Sequence, residues 1–224
     1  MKNLERYVNE TARDYAFRVL KDNIINLVLE PGSSISENQM ATVLSVSRTP
    51  IREALLELSK QQLVRIYPQK GSAISKIDYK LIEEARYLRL ILETSIIEAV
   101  CEMRTDEDIF RLEESIALQS FYEEKRFNDK VLKTDNDFHN MLYSIAQKEM
   151  LRNMIENTMV HFDRVRRLGI ETKINYRVIE DHAAIVEAIK AKDKERAKEI
   201  IAVHLTRYKI ESELVQEKYP DWIA

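Results

Sequence analysis

Helix breakers and cysteine are scarce in this sequence. Its 224 residues include three glycines, four prolines, one tryptophan and one cysteine. So few breakers predict a mostly helical chain. The single cysteine, Cys101, excludes a disulfide framework and points to a reducing cytoplasm. No apolar run approaches the ~18 residues a membrane span needs, and "MKNLERYVNE" lacks the apolar stretch of a signal peptide. An excess of charge of one sign is missing too. Lys+Arg number 35 against 38 Asp+Glu, a net charge of -3, which argues against a simple polycation for nucleic acid. What is present is a soluble globular composition, 45% hydrophobic and 33% charged. The charge is unevenly spread: residues 1–76 carry 11 basic and 8 acidic groups, the remainder 24 and 30. This modest asymmetry indicates at most which part could face an anionic partner, the first.

The few breakers mark boundaries. "EPGSSIS" (30–36) separates two helical stretches, Pro68 and Gly71 bracket a turn, and Gly169 is expected to break a later helix. Helices are expected over 9–29, 36–44 and 47–62, with Ser36 and Ser47 as N-caps and Pro50 in a first turn. Val64, Ile66, Ala73 and Ile74 flank a Gly-containing turn and predict a hairpin. From Tyr79 on, the pattern is helical near 79–104, 106–124, 128–147, 149–168, 175–191 and 193–218. Short connections between them suggest an antiparallel bundle. The fold class is therefore mostly α: a winged helix-turn-helix over 1–76, then an all-α bundle over 77–224, joined compactly by "SKIDY".

Two short helices and a tight turn, the second helix opening "SVSRTPIREALLEL", fit a module that sets that helix start in the DNA major groove. Arg48 and Arg52 share a face and can reach guanine or phosphate, while Ser47 and Thr49 can donate to phosphate. Ser36 is a further candidate contact, and Lys70 and Gly71 form the wing tip. Ile51, Leu55, Leu56 and Leu58 are expected to pack inward. A pair of arginines alone would be an ordinary surface feature, pairing with Glu53 or Glu57. The combination of cap, turn, basic helix start and hairpin favours DNA. "LEPGSSISENQMATVLSVSRTPIREALLELSKQQLVRIYPQKGSAIS" resembles the winged helix-turn-helix of GntR-family transcription regulators. Asn38 stands where many relatives have a DNA-reading arginine, and Gln62 where a glycine often precedes "LV".

All four histidines, His139, His161, His182 and His204, lie in the helical part, each on an apolar stripe. Asp135 precedes His139 by one turn on a face shared with Val131, Phe138, Leu142 and Ala146. A buried polar group without a partner costs ~1–3 kcal/mol, so these residues either satisfy one another or hold something between them. A lone inward histidine is ordinarily a hydrogen-bonded core residue, and Asp135 alone would pair with an arginine. Imidazoles and a carboxylate are also the ligand types of Zn, Ni, Mn or Fe.

"EEARYLRLILET", "DNDFHNML" and "DHAAIVEAIKAKDKERAKEIIAVHL" are similar to segments of the FCD effector domain in the FadR-type branch of the same family. That resemblance implies that Asp135, His139, His182 and His204 are the ligands of a divalent transition metal, zinc first. It also implies a small organic acid effector, for which Arg89, His161 and Arg164 are the candidate contacts. The implied protein is a cytoplasmic homodimer that binds a palindromic operator in double-stranded DNA and ordinarily represses. It has no membrane partner and no catalytic turnover. The alternative is a helical metalloenzyme using the Asp/His site, but no HExxH-like motif sets a general base beside those residues.

Overall fold

Thr11 begins the first helix by accepting a hydrogen bond from the Asp14 amide, and α1 (Ala12–Ile25) buries Tyr15, Val19, Leu20 and Ile24. The computed structural model describes residues 1–2, 4–172, 177–206 and 216–224. Its packing divides the chain into two units, Met1–Tyr79 with Tyr219–Ala224, and Lys80–Lys218.

In the first unit, α1 stops short of the expected residue 29 because Leu27 turns to φ +59. The Pro-Gly turn follows, with Gly32 at φ +82. The Gly32 amide donates to Ile74 and the Ile74 amide to Ser33, which draws the chain alongside the wing. Ser36 caps α2 (Glu37–Leu44) through the Gln39 amide, as its spacing predicts. Ser47 occupies the N-cap of α3 (Arg48–Lys60), but its side chain makes no capping hydrogen bond. An N-cap hydroxyl accepts from the second or third helical amide, and the third residue here is Pro50, which has none. Ile51, Ala54, Leu55 and Leu58 pack inward. Leu56 does not: it is 47% exposed, because one residue beyond Leu55 the helix has already turned by about 100°.

The wing is a three-stranded antiparallel sheet in the order β1-β3-β2. β2 (Val64–Tyr67) and β3 (Gly71–Ile74) form the expected hairpin, Val64 opposite Ile74 and Tyr67 opposite Gly71. β1 (Ser34–Ile35), absent from the expected elements, pairs Ser34 with Ala73 and Ile35 with Ser72. Beyond the wing, the Ile77 amide donates to the Trp222 carbonyl and the Ala224 amide to the Ile77 carbonyl. The short 3-10 turn Pro220–Trp222 thus leads into a parallel bridge between Ile77 and Ile223.

The second unit comprises α4 (Tyr79–Met103), α5 (Asp106–Glu124), α6 (Asn128–Ile145), α7 (Glu149–Thr172), α8 (Val178–Lys190) and α9 (Lys194–Thr206). α5 packs on α6 and α8, α6 on α7, and α8 on α9. Their core centres on Ile97, Val100, Leu112, Phe138, Leu142 and Ile185. Gly169 breaks nothing. It lies buried inside α7, whose inward side also holds Val165 and Leu168. Packing of that face outweighs the ~1 kcal/mol a helical glycine costs. The expected continuation of the last helix over 207–215 and the start of the preceding one at 175–176 lie outside the described residues. Among the described residues, no helix is long and apolar enough to cross a membrane.

Candidate functional site

The first unit presents polar groups along the start of α3 and the wing. Ser36, Ser47, Arg48, Thr49, Arg52, Lys70 and Gly71 are all exposed. Arg48 reaches Glu37 at 3.6 Å, rather than Glu53 or Glu57, with 68% of its side chain accessible. A cleft of about 250 Å³ runs between α3 and the wing and is lined by Glu37, Arg52, Leu56, Tyr67 and Gln69 among others. Gly71 adopts φ +91 at the wing turn, a backbone conformation costly for any residue with a Cβ.

In the second unit, three helices bring imidazoles to one point. His139 on α6 has its Nε2 atom 3.3 Å from the Nε2 of His182 on α8 and 3.3 Å from that of His204 on α9. Asp135 Oδ1 is 3.6 Å from His182 Nε2. One ligand atom from each of the four residues lies within 4.8 Å of the others.

What stands behind His139 and His182 fixes their protons. The Arg89 Nε donates to Glu93 Oε1 at 2.6 Å, and Glu93 Oε2 lies 2.7 Å from His139 Nδ1. Burial opposes ionisation of Glu93, yet Arg89 and His139 outweigh it and hold the carboxyl at about 2. An ionised carboxylate only accepts, so Nδ1 of His139 carries the hydrogen and Nε2 presents a lone pair. Gln119 Oε1 is 2.7 Å from His182 Nδ1, and Asp181 Oδ2 approaches His204 Nδ1 at 3.4 Å.

Burial, reinforced by Arg89, lowers His139 to about 4 against the opposing pull of Glu93. Burial likewise pushes His182 well below its ordinary value and lowers His204. At neutral pH the rings are therefore uncharged, the form that ligates a metal. The Nε2 lone pairs of His139 and His182, facing one another at 3.3 Å, repel unless a cation lies between them. Two nitrogens bound to one ion at about 2.0–2.1 Å stand about 3–3.4 Å apart, so the donor set fits a transition metal. Asp135 is also ion-paired with Arg166 on α7, whose Nη1 donates to Asp163 and Asn136.

The family described as bacterial regulatory proteins, gntR family, matches residues 13–74, and the FCD domain matches residues 84–207. The chain belongs to the GntR family and carries an FCD domain. It is 25% identical to the HTH-type transcriptional repressor RspR of Escherichia coli K12 over 209 residues, 93% of this chain and 92% of that one. It is 28% identical to the gluconate operon transcriptional repressor of Bacillus subtilis 168 over 185 residues, 78% and 74% of the two chains. Among solved structures, E. coli McbR/YncC shares the fold, with a TM-score of 0.77, 22% identity and coverage of 94% and 99%. This GntR protein is accordingly a transcription regulator, as its relatives are.

Of the residues singled out in the sequence, Asp135, His139, His182 and His204 come together. Arg89 sits behind His139 as the partner of Glu93. His161 and Arg164 are buried on α7, and His161 is not one of the four clustered donors. Burial brings the Arg164 guanidinium down to about 10. Glu93, Gln119, Asp181 and Arg166 were missed. Two of them carried the signal that exposed the histidines, a polar residue on an apolar stripe. Glu93 falls in line with Ile82, Ala85, Arg89, Ile96 and Val100, and Gln119 with Ile109, Leu112 and Ser115.

Proposed function

We propose that this GntR regulator is a metal-dependent repressor that binds a palindromic operator as a homodimer and responds to a small organic acid. The observation that carries the sensor half is the convergence of three Nε2 atoms, two of them only 3.3 Å from the third. Asp135, His139, His182 and His204 would hold the divalent ion, with zinc ahead of nickel, manganese and iron for this nitrogen-rich set. When bound, such an ion supplies a Lewis-acidic position for a carboxylate. Arg89, His161 and Arg164 are the proposed effector contacts, since a buried guanidinium is the natural partner of a buried carboxylate.

The DNA half rests on the exposed start of α3 and the wing. Arg48 and Arg52 would read bases or phosphate, Ser36, Ser47 and Thr49 would donate to phosphate, and Lys70 and Gly71 would follow the adjacent groove. Tyr87, Leu88 and Ile91 leave an exposed apolar strip on α4, which supports a homodimer. Two recognition helices then engage two half-sites. Regulation rather than turnover is the reading because the carboxylates at the cluster are committed: Glu93 to Arg89 and His139, Asp135 to Arg166.

The test uses the purified protein, elemental analysis and a duplex selected from a random pool. The protein should carry about one divalent ion per chain, and its DNA affinity should fall steeply with salt. A panel of small carboxylates should raise the melting temperature of metal-loaded protein and alter its DNA affinity. If the whole panel leaves both quantities unchanged, the organic-acid sensor is wrong. If binding to duplex is independent of salt, the DNA interface is wrong.

A further inference from the structure

Gln119 is the one amide among the groups behind the three imidazoles, and its own surroundings determine how it is oriented. Its Nε2 lies 3.3 Å from the Thr134 carbonyl oxygen of α6 and 3.3 Å from Ser115 Oγ. A backbone carbonyl can only accept, so the amide nitrogen must be the atom that faces it. The amide oxygen is thereby turned to His182 Nδ1, 2.7 Å away. An amide oxygen can only accept, so Nδ1 of His182 must carry the hydrogen and Nε2 must present its lone pair. Gln119 and His182 are both buried, and Phe138 stacks on the His182 ring at 4.0 Å between centroids. Stacking fixes the plane of the ring, whereas the hydrogen bond fixes its rotation and tautomer.

We infer that Gln119 is a positioning residue for the metal centre: the Thr134 carbonyl sets the Gln119 amide, and the amide sets His182 as a Nδ1–H, Nε2-donor ligand. The inference rests on the metal-centre reading above. Through this relay α5, which contributes no ligand, takes part in building the site. Outer partners of this kind ordinarily change metal affinity 10- to 100-fold when removed.

The test is long-range 1H–15N correlation on chelator-treated protein with 15N-labelled histidine, the His182 signals being assigned by their loss in His182→Gln. Wild-type protein should show His182 as the Nδ1–H tautomer. Gln119→Leu keeps similar volume but removes the acceptor. It should shift His182 toward the Nε2–H tautomer and weaken zinc binding, read by chelator competition, 10- to 100-fold. Gln119→Glu restores an acceptor and should recover the tautomer and most of the affinity. An Nε2–H tautomer in the wild type would overturn the inference even if Gln119→Leu does not fold. Wild-type tautomer and affinity retained in Gln119→Leu would overturn it as well. A wild-type protein with the Nδ1–H tautomer that takes up no zinc, cobalt or nickel would sink the metal centre while supporting the orientation of the ring.

Discussion

Arg48 stands at the start of α3 with 68% of its side chain accessible, paired with Glu37 at 3.6 Å. An exposed ion pair is worth ~0–1 kcal/mol, so Glu37 offers little competition to a phosphate or a guanine edge. Arg48→Ala should weaken operator binding by ~1–3 kcal/mol, roughly 5- to 150-fold, without moving the melting temperature. Unchanged affinity in a fluorescence anisotropy titration would remove Arg48 from the interface. His139 makes the opposite kind of prediction, one about stability. Its folded value, about 4, lies below the ordinary 6.5 because burial and Arg89 disfavour the cation. As pH falls, the unfolded chain takes up the proton first. Metal-stripped protein should therefore keep its full stability from this group above about pH 6.5 and lose roughly 3 kcal/mol between there and pH 4. Thermal melts in chelator at pH 7, 6, 5 and 4 should decline in step. A flat series would contradict it.

At the scale of elements, α5 is held at its start by a full capping box: Thr105 accepts from the Asp108 amide while Asp108 accepts from the Thr105 amide. Thr105→Ala should cost about 1 kcal/mol in a denaturant titration, an effect distinct from that of Gln119 at the far end of the same helix. The wing depends on Gly71, where an added Cβ would meet nothing within 4 Å. The penalty there is conformational alone, and Gly71→Ala should destabilise the hairpin by about 1–2 kcal/mol through φ +91. Wild-type DNA affinity in that variant would argue against a role for the wing. Most helices were legible because caps and apolar spacing are local. Ser36 acts within three residues, as its spacing predicts, whereas Ser47 makes no capping bond. Gly169 misled because its cost is local while the burial that offsets it is not, and β1 escaped notice because its pairing with β3 depends on distant residues.

For the whole molecule, the clustering of Tyr219–Ala224 with the winged unit carries a consequence. Ile77 is almost completely buried and exchanges two backbone hydrogen bonds with that segment. Deleting 219–224 should lower the stability of the winged unit by about 1–3 kcal/mol, read as an earlier unfolding transition in calorimetry, and an unshifted transition would show the segment to be dispensable. The sequence by itself determined the two-part organisation, the basic helix start and the inward faces of all four histidines, since periodicity and capping reside in neighbouring residues. Only the tertiary structure decided which inward groups meet. It joined Asp135 and His139 with His182 and His204, and it placed Glu93 and Gln119 behind the rings. Helical spacing says which way a side chain points. What it meets, and hence where the proton on an imidazole sits, depends on a second helix that no local pattern can place.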